Sequence, residues 1–230
     1  MATNITQKLH SELWRRFGTL EHPAEWDGHV YGGGKLSQRY WEYFKAIELL
    51  DLHEESVVLD IGGGSPITGA GFFASLLSTA VKEVIIFDSQ IAQHAIAPEN
   101  VRFERHHADF ATLLPYLADN PSITHVSCVS VLEHIPAITR EGIMGALEQT
   151  FVGTTIVVTL EYHARKSFFE HQLTARSLSE LFAPVSRFYP DKIESSPIWC
   201  ENAFNFSLDV PYWYPVAIRF CRMPSAQGPL

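Results

Sequence analysis

The chain of 230 residues is short of several things, and each shortage narrows what it can be. It has only three cysteines, Cys128, Cys200 and Cys221, widely spaced and odd in number. That pattern argues against a disulfide framework or a zinc site and fits reduced thiols in a cytoplasmic protein. No apolar run is long enough to cross a bilayer, so a soluble chain with no membrane partner is expected. The opening residues, MATNITQKLHSELWRRF, lack the apolar core of a secretory leader. Basic residues are outnumbered, 17 against 26 acidic ones, for a formal net charge of −9. Proteins that hold nucleic acid through its phosphates are usually basic, so nucleic acid is a disfavoured partner. Internal repeats and low-complexity tracts are also missing.

What is present is apolar residue in quantity: 46% of the chain is hydrophobic and 19% charged. That suits one globular domain with a sizeable core. Near the N-terminus, Ile5, Leu9, Leu13, Trp14 and Phe17 share one helical face over 3–17. A loop over 19–35 carries Gly32–Gly34 and aromatics and is placed to act as a lid. A second helix at 36–50 puts Tyr40, Tyr43, Phe44, Ile47 and Leu50 on one stripe. Residues 1–52 therefore read as an N-terminal helical cap on a core over 53–230.

Strands and helices then alternate. Apolar runs predict strands near 56–61, 83–88, 101–105, 124–130 and 154–161, with a last strand at 214–221. Helices are expected near 70–80, 90–96, 111–118, 139–150 and 175–183. Such alternation predicts an α/β, doubly wound, Rossmann-like fold with a mostly parallel sheet. Aromatics and prolines crowd 188–214, where Trp199, Tyr212 and Trp213 could wall a pocket.

The stretch VVLDIGGGSP, residues 57–66, carries the most chemistry. It is a buried strand ending on Asp60, then Gly62, Gly63 and Gly64, where backbone can approach a ligand closely. A phosphate-gripping loop needs a Lys after its glycines, and none follows. A dinucleotide loop needs a third glycine where Ile67 stands, and Asp60 would face its pyrophosphate. S-adenosylmethionine has no phosphate and carries positive charge, which an acid favours.

VLDIGGG resembles the first motif of the class I S-adenosylmethionine-dependent methyltransferases. EVIIFDSQ ends a second strand on Asp88 and Ser89, where that family has an acid for the ribose hydroxyls. HHADF places Asp109 and Phe110 after the third strand, where the family reads the adenine; Asp109 reads equally as a helix N-cap. THVSCVSVLEHI, with Ser130, Glu133 and His134, resembles the fourth motif. The resemblance covers about residues 56–135 and implies a seven-stranded sheet with S-adenosylmethionine as cofactor. The longer loop PITGAG and the lost third glycine depart from the family pattern.

The resemblance also implies an enzyme that transfers a methyl group. Glu133 and His134 follow the fourth strand, and Glu161 and His163 end the fifth. His134 is the first candidate base and His163 the second, with Glu133 orienting the imidazole. A divalent metal held by Glu133, His134, Glu161 and His163 is the less favoured alternative, because Ser130 stands where metal-using relatives have a first Glu. The expected acceptor is a small hydroxylated metabolite or saccharide, and a homodimer is left open. Two rivals remain: a nicotinamide-dependent oxidoreductase, and a non-catalytic methyltransferase-like partner subunit.

Overall fold

The computed structural model describes residues 4–19, 38–65, 68–89, 91–92, 94, 97–105, 112–148, 154–163, 173–174, 188–195 and 213–222. Two helices open the chain, α1 (Asn4–Thr19) and α2 (Gln38–Leu50). They are followed by β1 (Val57–Ile61), a ribbon of β2 (Gly64–Ser65) with β3 (Gly69–Ala70), and α3 (Phe72–Leu77). Next come β4 (Glu83–Asp88), β5 (Val101–Arg105), α4 (Leu113–Asp119) and β6 (His125–Val129). A short 3-10 turn (Leu132–His134) leads into α5 (Ala137–Glu148). The chain ends on β7 (Thr155–His163), β8 (Leu173–Thr174), β9 (Phe188–Ser195) and β10 (Trp213–Arg222).

The main sheet runs β5-β4-β1-β6-β7-β10-β9. β1 sits at its centre, parallel to β4 on one side and β6 on the other. β10 is antiparallel to both its neighbours, so six strands of this path point one way and β10 opposes them. Among the described residues the sheet holds one strand more than the seven expected. The two-residue β8 adds to the edge of β7 and brings the sheet to eight strands.

Strand alternation splits the core into two layers. Val57, Leu59 and Ile61 of β1 join Ile85, Phe87, Val126, Val158 and Leu160 under α4 and α5. Val58, Val84, Ile86 and Val157 face the other way, onto α1, α2 and α3. Leu9 and Leu13 of α1 are fully buried in that second layer, each worth roughly 1.5–3 kcal/mol of apolar burial. The N-terminal helices thus share a core with the sheet. Trp14, expected on the buried face of α1, is half exposed and packs edge-on against Tyr40.

Three further expectations are corrected. The helix expected at 70–80 shortens to α3, because the ribbon takes its first residues. The described residues near 90–96 form no helix; there the Ala92 N–H donates to the Ser65 carbonyl and ties the segment to the ribbon. An unexpected strand, β9, occupies 188–195 despite Pro190. It lies at the sheet edge, and the register with β10 slips between Arg219 and Phe220 so that Asp191 is passed over. Edges and bulges are where a strand tolerates a residue without an N–H. The helix expected at 175–183, the glycines 32–34 and most of the aromatic stretch, including Trp199 and Tyr212, lie outside the described residues.

Candidate cofactor and transfer site

The carboxyl end of β1 sets the site. Asp60 is opposite Ser127 of β6 in the ladder, and the Ser127 hydroxyl donates to Asp60 Oδ1 at 2.6 Å. Asp60 is 2% exposed, and its Oδ2 has no hydrogen-bond partner among the described residues. Burial is the main cause that pushes this carboxyl up to about 7, and the Asp88 charge adds to it against the Ser127 bond. A buried carboxylate with one oxygen unsatisfied is costly, so the position favours a positively charged ligand group.

The glycine loop closes over this acid. The Gly62 N–H continues the ladder to the Phe87 carbonyl at 3.0 Å, and the Gly64 N–H donates to Asp88 Oδ2 at 2.8 Å. Gly62 has φ of +74°, and a Cβ there would collide with Val131. A Cβ on Gly63 would collide with Asp60 Oδ2, and one on Gly64 would lie 2.8 Å from Asp88. The glycines are therefore required first by the chain's own packing, through approach to Val131 and two acids. The expected reason, approach to a ligand, comes second.

The lengthened loop has a structural account. Gly64–Ser65 pairs with Gly69–Ala70 in a small antiparallel ribbon, and the Gly71 N–H closes it on the Gly63 carbonyl at 2.8 Å. α3 then starts at Phe72. The glycine amides are not at the start of a helix.

Asp88 ends β4 beside β1 and is buried, whereas Ser89 directly after it is exposed. Asp109 and Phe110 lie outside the described residues. The structure therefore brings Asp60, Gly62–Gly64 and Asp88 together in one place.

At the end of β6, Ser130 has φ of +52°, and its N–H donates to the Thr159 carbonyl at 3.0 Å. Its hydroxyl donates to Glu42 Oε1 of α2 at 2.6 Å, which links the expected cofactor contact Ser130 to the N-terminal helix. In the turn that follows, Glu133 is buried and His134 is 53% exposed, with Nε2 4.0 Å from Glu133 Oε1. Glu133 acts electrostatically on Cys128, whose thiol burial pushes well up, and on Arg140. Arg140 in turn donates to the Leu132 carbonyl at 3.2 Å. His163 falls in β7 opposite Trp213 of β10, four residues beyond Thr159, or about 13 Å along the strand. The side chains of Glu161 and His163 lie outside the described residues, and among the described ones no group of three metal-capable side chains assembles.

No protein-family model matches the chain, and no curated protein matches it either. Solved structures do. Geranyl diphosphate C-methyltransferase from Streptomyces coelicolor, solved with Mg2+, geranyl diphosphate and S-adenosylhomocysteine, superposes with a TM-score of 0.53 at 13% identity, over 94% of this chain and 98% of that one. The N-methyltransferase NodS from Bradyrhizobium japonicum gives 0.55 at 12% identity, over 81% and 97%. The cyclase SpnF gives 0.58 at 13% identity, over 97% and 96%. The chain has the Rossmann-like fold of the class I S-adenosylmethionine-dependent methyltransferases. At these identities the likeness defines the fold, and a cyclase shares it. No helix among the described residues is long and apolar enough to cross a membrane.

Proposed function

We propose that the protein is an S-adenosylmethionine-dependent methyltransferase that methylates an oxygen of a small hydroxylated metabolite or saccharide. The observation that carries the cofactor reading is the Asp60 carboxylate, buried at the end of the central strand with Oδ2 unsatisfied under the glycine loop. The residues fit the cofactor. Asp60 would face its ammonium group, and Asp88 would hold its ribose hydroxyls. Asp109, Phe110 and Ser89 are proposed around its adenosine. When bound, the cofactor supplies an activated methyl group on a sulfonium. The protein's share is to align the acceptor and receive its proton. His134, with Glu133 beside it, is the proposed base at the end of β6, and His163 is the alternative.

A dinucleotide reading fits less well. It needs glycine amides at a helix start to receive a pyrophosphate. Here a ribbon separates Gly64 from α3, and the acid Asp60 lies directly under the loop.

Because a cyclase has this fold, the test must read transfer and not binding alone. The protein is incubated with S-adenosylmethionine labelled in its methyl group and a panel of hydroxylated small molecules. Label in a base-stable ether product, together with S-adenosylhomocysteine, is the expected result. Binding without transfer to any acceptor would favour the partner-subunit reading.

A further inference from the structure

Glu42 is the one acid of α2 with no exposure at all. It stands in an aromatic run, Tyr40, Trp41, Tyr43 and Phe44, where an apolar residue would bury more cheaply. Its two oxygens differ: Oε1 is hydrogen-bonded, and Oε2 has an ion pair but no hydrogen bond among the described residues. Oε1 accepts from the Ser130 hydroxyl at 2.6 Å, and Oε2 lies 3.2 Å from Arg39 Nη1 one turn earlier. Burial pushes the carboxyl up, and Arg39 and Ser130 oppose that.

What Glu42 holds is unusual. A serine at φ of +52° is in the left-handed region, which non-glycine residues seldom occupy. Such a conformation persists only where the surroundings fix it. Here the ties are the Ser130 N–H to Thr159 and the Ser130 hydroxyl to Glu42. The next residue, Val131, packs so tightly on Gly62 that a Cβ there has no room. Gly62 opens the loop that covers Asp60 and reaches Asp88 through Gly64.

We infer that Glu42 is a positioning residue, which sets the glycine loop from the N-terminal helix through Ser130 and Val131. The chain of contact is continuous, from an acid on α2 to a strained residue after β6 to the first glycine after β1. Without the Glu42 acceptor, Ser130 relaxes toward negative φ, Val131 shifts, and Gly62 loses the surface that holds it. The inference goes beyond the proposed activity and makes the α2 helix part of the cofactor site's geometry.

The test reads amide exchange by NMR in the ligand-free protein, and then S-adenosylhomocysteine affinity. In Glu42→Ala, exchange at the Gly62 and Gly64 amides is expected to speed up by about tenfold, and affinity to fall by about tenfold, within the range of ordinary coupling. Amides of Ile85 and Val126 in the central strands should keep wild-type rates. Glu42→Gln keeps an oxygen for Ser130 and should restore both readouts to within about threefold, which a general packing role would not single out. Ser130→Ala keeps Glu42, and should reproduce Glu42→Ala; it carries the comparison if Glu42→Ala does not fold. Wild-type exchange at Gly62 and Gly64 in Ser130→Ala or folded Glu42→Ala overturns the inference. A wild-type protein that fails to bind S-adenosylhomocysteine counts against the cofactor reading alone, since exchange is measured without ligand.

Discussion

The Ser127 hydroxyl satisfies one oxygen of Asp60 at 2.6 Å, and the other oxygen is buried with no hydrogen-bond partner among the described residues. This asymmetry has a pH signature. The carboxyl sits at about 7 in the folded protein, above its ordinary 3.8. Between those values the folded chain keeps a proton that the unfolded chain gives up. This group therefore favours folding at low pH, and its contribution declines as pH rises through 7. Asp60→Asn removes the ionisation. It should be more stable than the wild type at pH 8, by roughly 2–4 kcal/mol, with the gap closing toward pH 4. Thermal denaturation against pH checks this, and parallel curves for the two proteins would sink it.

Asp88 offers a second test. Its Oδ2 accepts the Gly64 N–H, and in the proposed complex it also holds the ribose hydroxyls. Asp88→Ala should cost roughly 1.5–3 kcal/mol of S-adenosylhomocysteine binding, the scale of hydrogen bonds to a charged group. If an analogue lacking the ribose hydroxyls loses as much affinity as the intact ligand, the carboxylate acts only through the loop.

Gly62 separates packing from ligand effects. With φ of +74° and Val131 in the way, Gly62→Ala is strained whatever binds nearby. A stability loss of ~1–3 kcal/mol is expected in the ligand-free protein, and Val131→Ala in the same chain should return part of it. Urea denaturation of the single and double variants decides. Additive losses would mean that the two residues do not meet.

At the other end of the sheet, His125 is buried in contact with the exposed ring of His53, and its Nδ1 is 2.7 Å from the Thr124 hydroxyl. Burial is the main cause that lowers its pKa to about 4 from 6.5. The unfolded chain therefore binds a proton in that window and the folded chain does not. Stability is fully present above pH 6.5 and is lost as pH falls toward 4, by up to ~3 kcal/mol. His125→Asn should flatten this acid limb in urea midpoints measured against pH. An unchanged limb would assign it to other groups.

β1, β4, β5, β6, β7 and the last strand were legible as apolar or alternating runs between turns, whereas the two-residue strands of the β2–β3 ribbon carry no such pattern. β9 was not, because Pro190, Asp191 and Lys192 disfavour a strand interior, and pairing with β10 overrides them. Asp60, the glycines and Asp88 could be read from their place after apolar strands. The reason for the glycines could not, since it lies in contacts with Val131 and two acids. Glu42 escaped the reading of α2 as an aromatic stripe. Its partner Ser130 is 88 residues away, and the one local signal was the acid three residues after Arg39. The fourth-motif residues were placed correctly after β6, but Glu133 turns inward while His134 stays exposed.

The most direct measurement is calorimetric titration of S-adenosylhomocysteine into the wild type and Asp60→Asn, at pH 8 and at pH 6. One saturable site is expected in the wild type, at least about tenfold weaker in Asp60→Asn at pH 8. Affinity of the wild type should fall at pH 6, because Asp60 must release its proton to meet a cation. Equal affinities for the two proteins, or saturable binding of NAD with none of S-adenosylhomocysteine, would contradict a cofactor site built on Asp60.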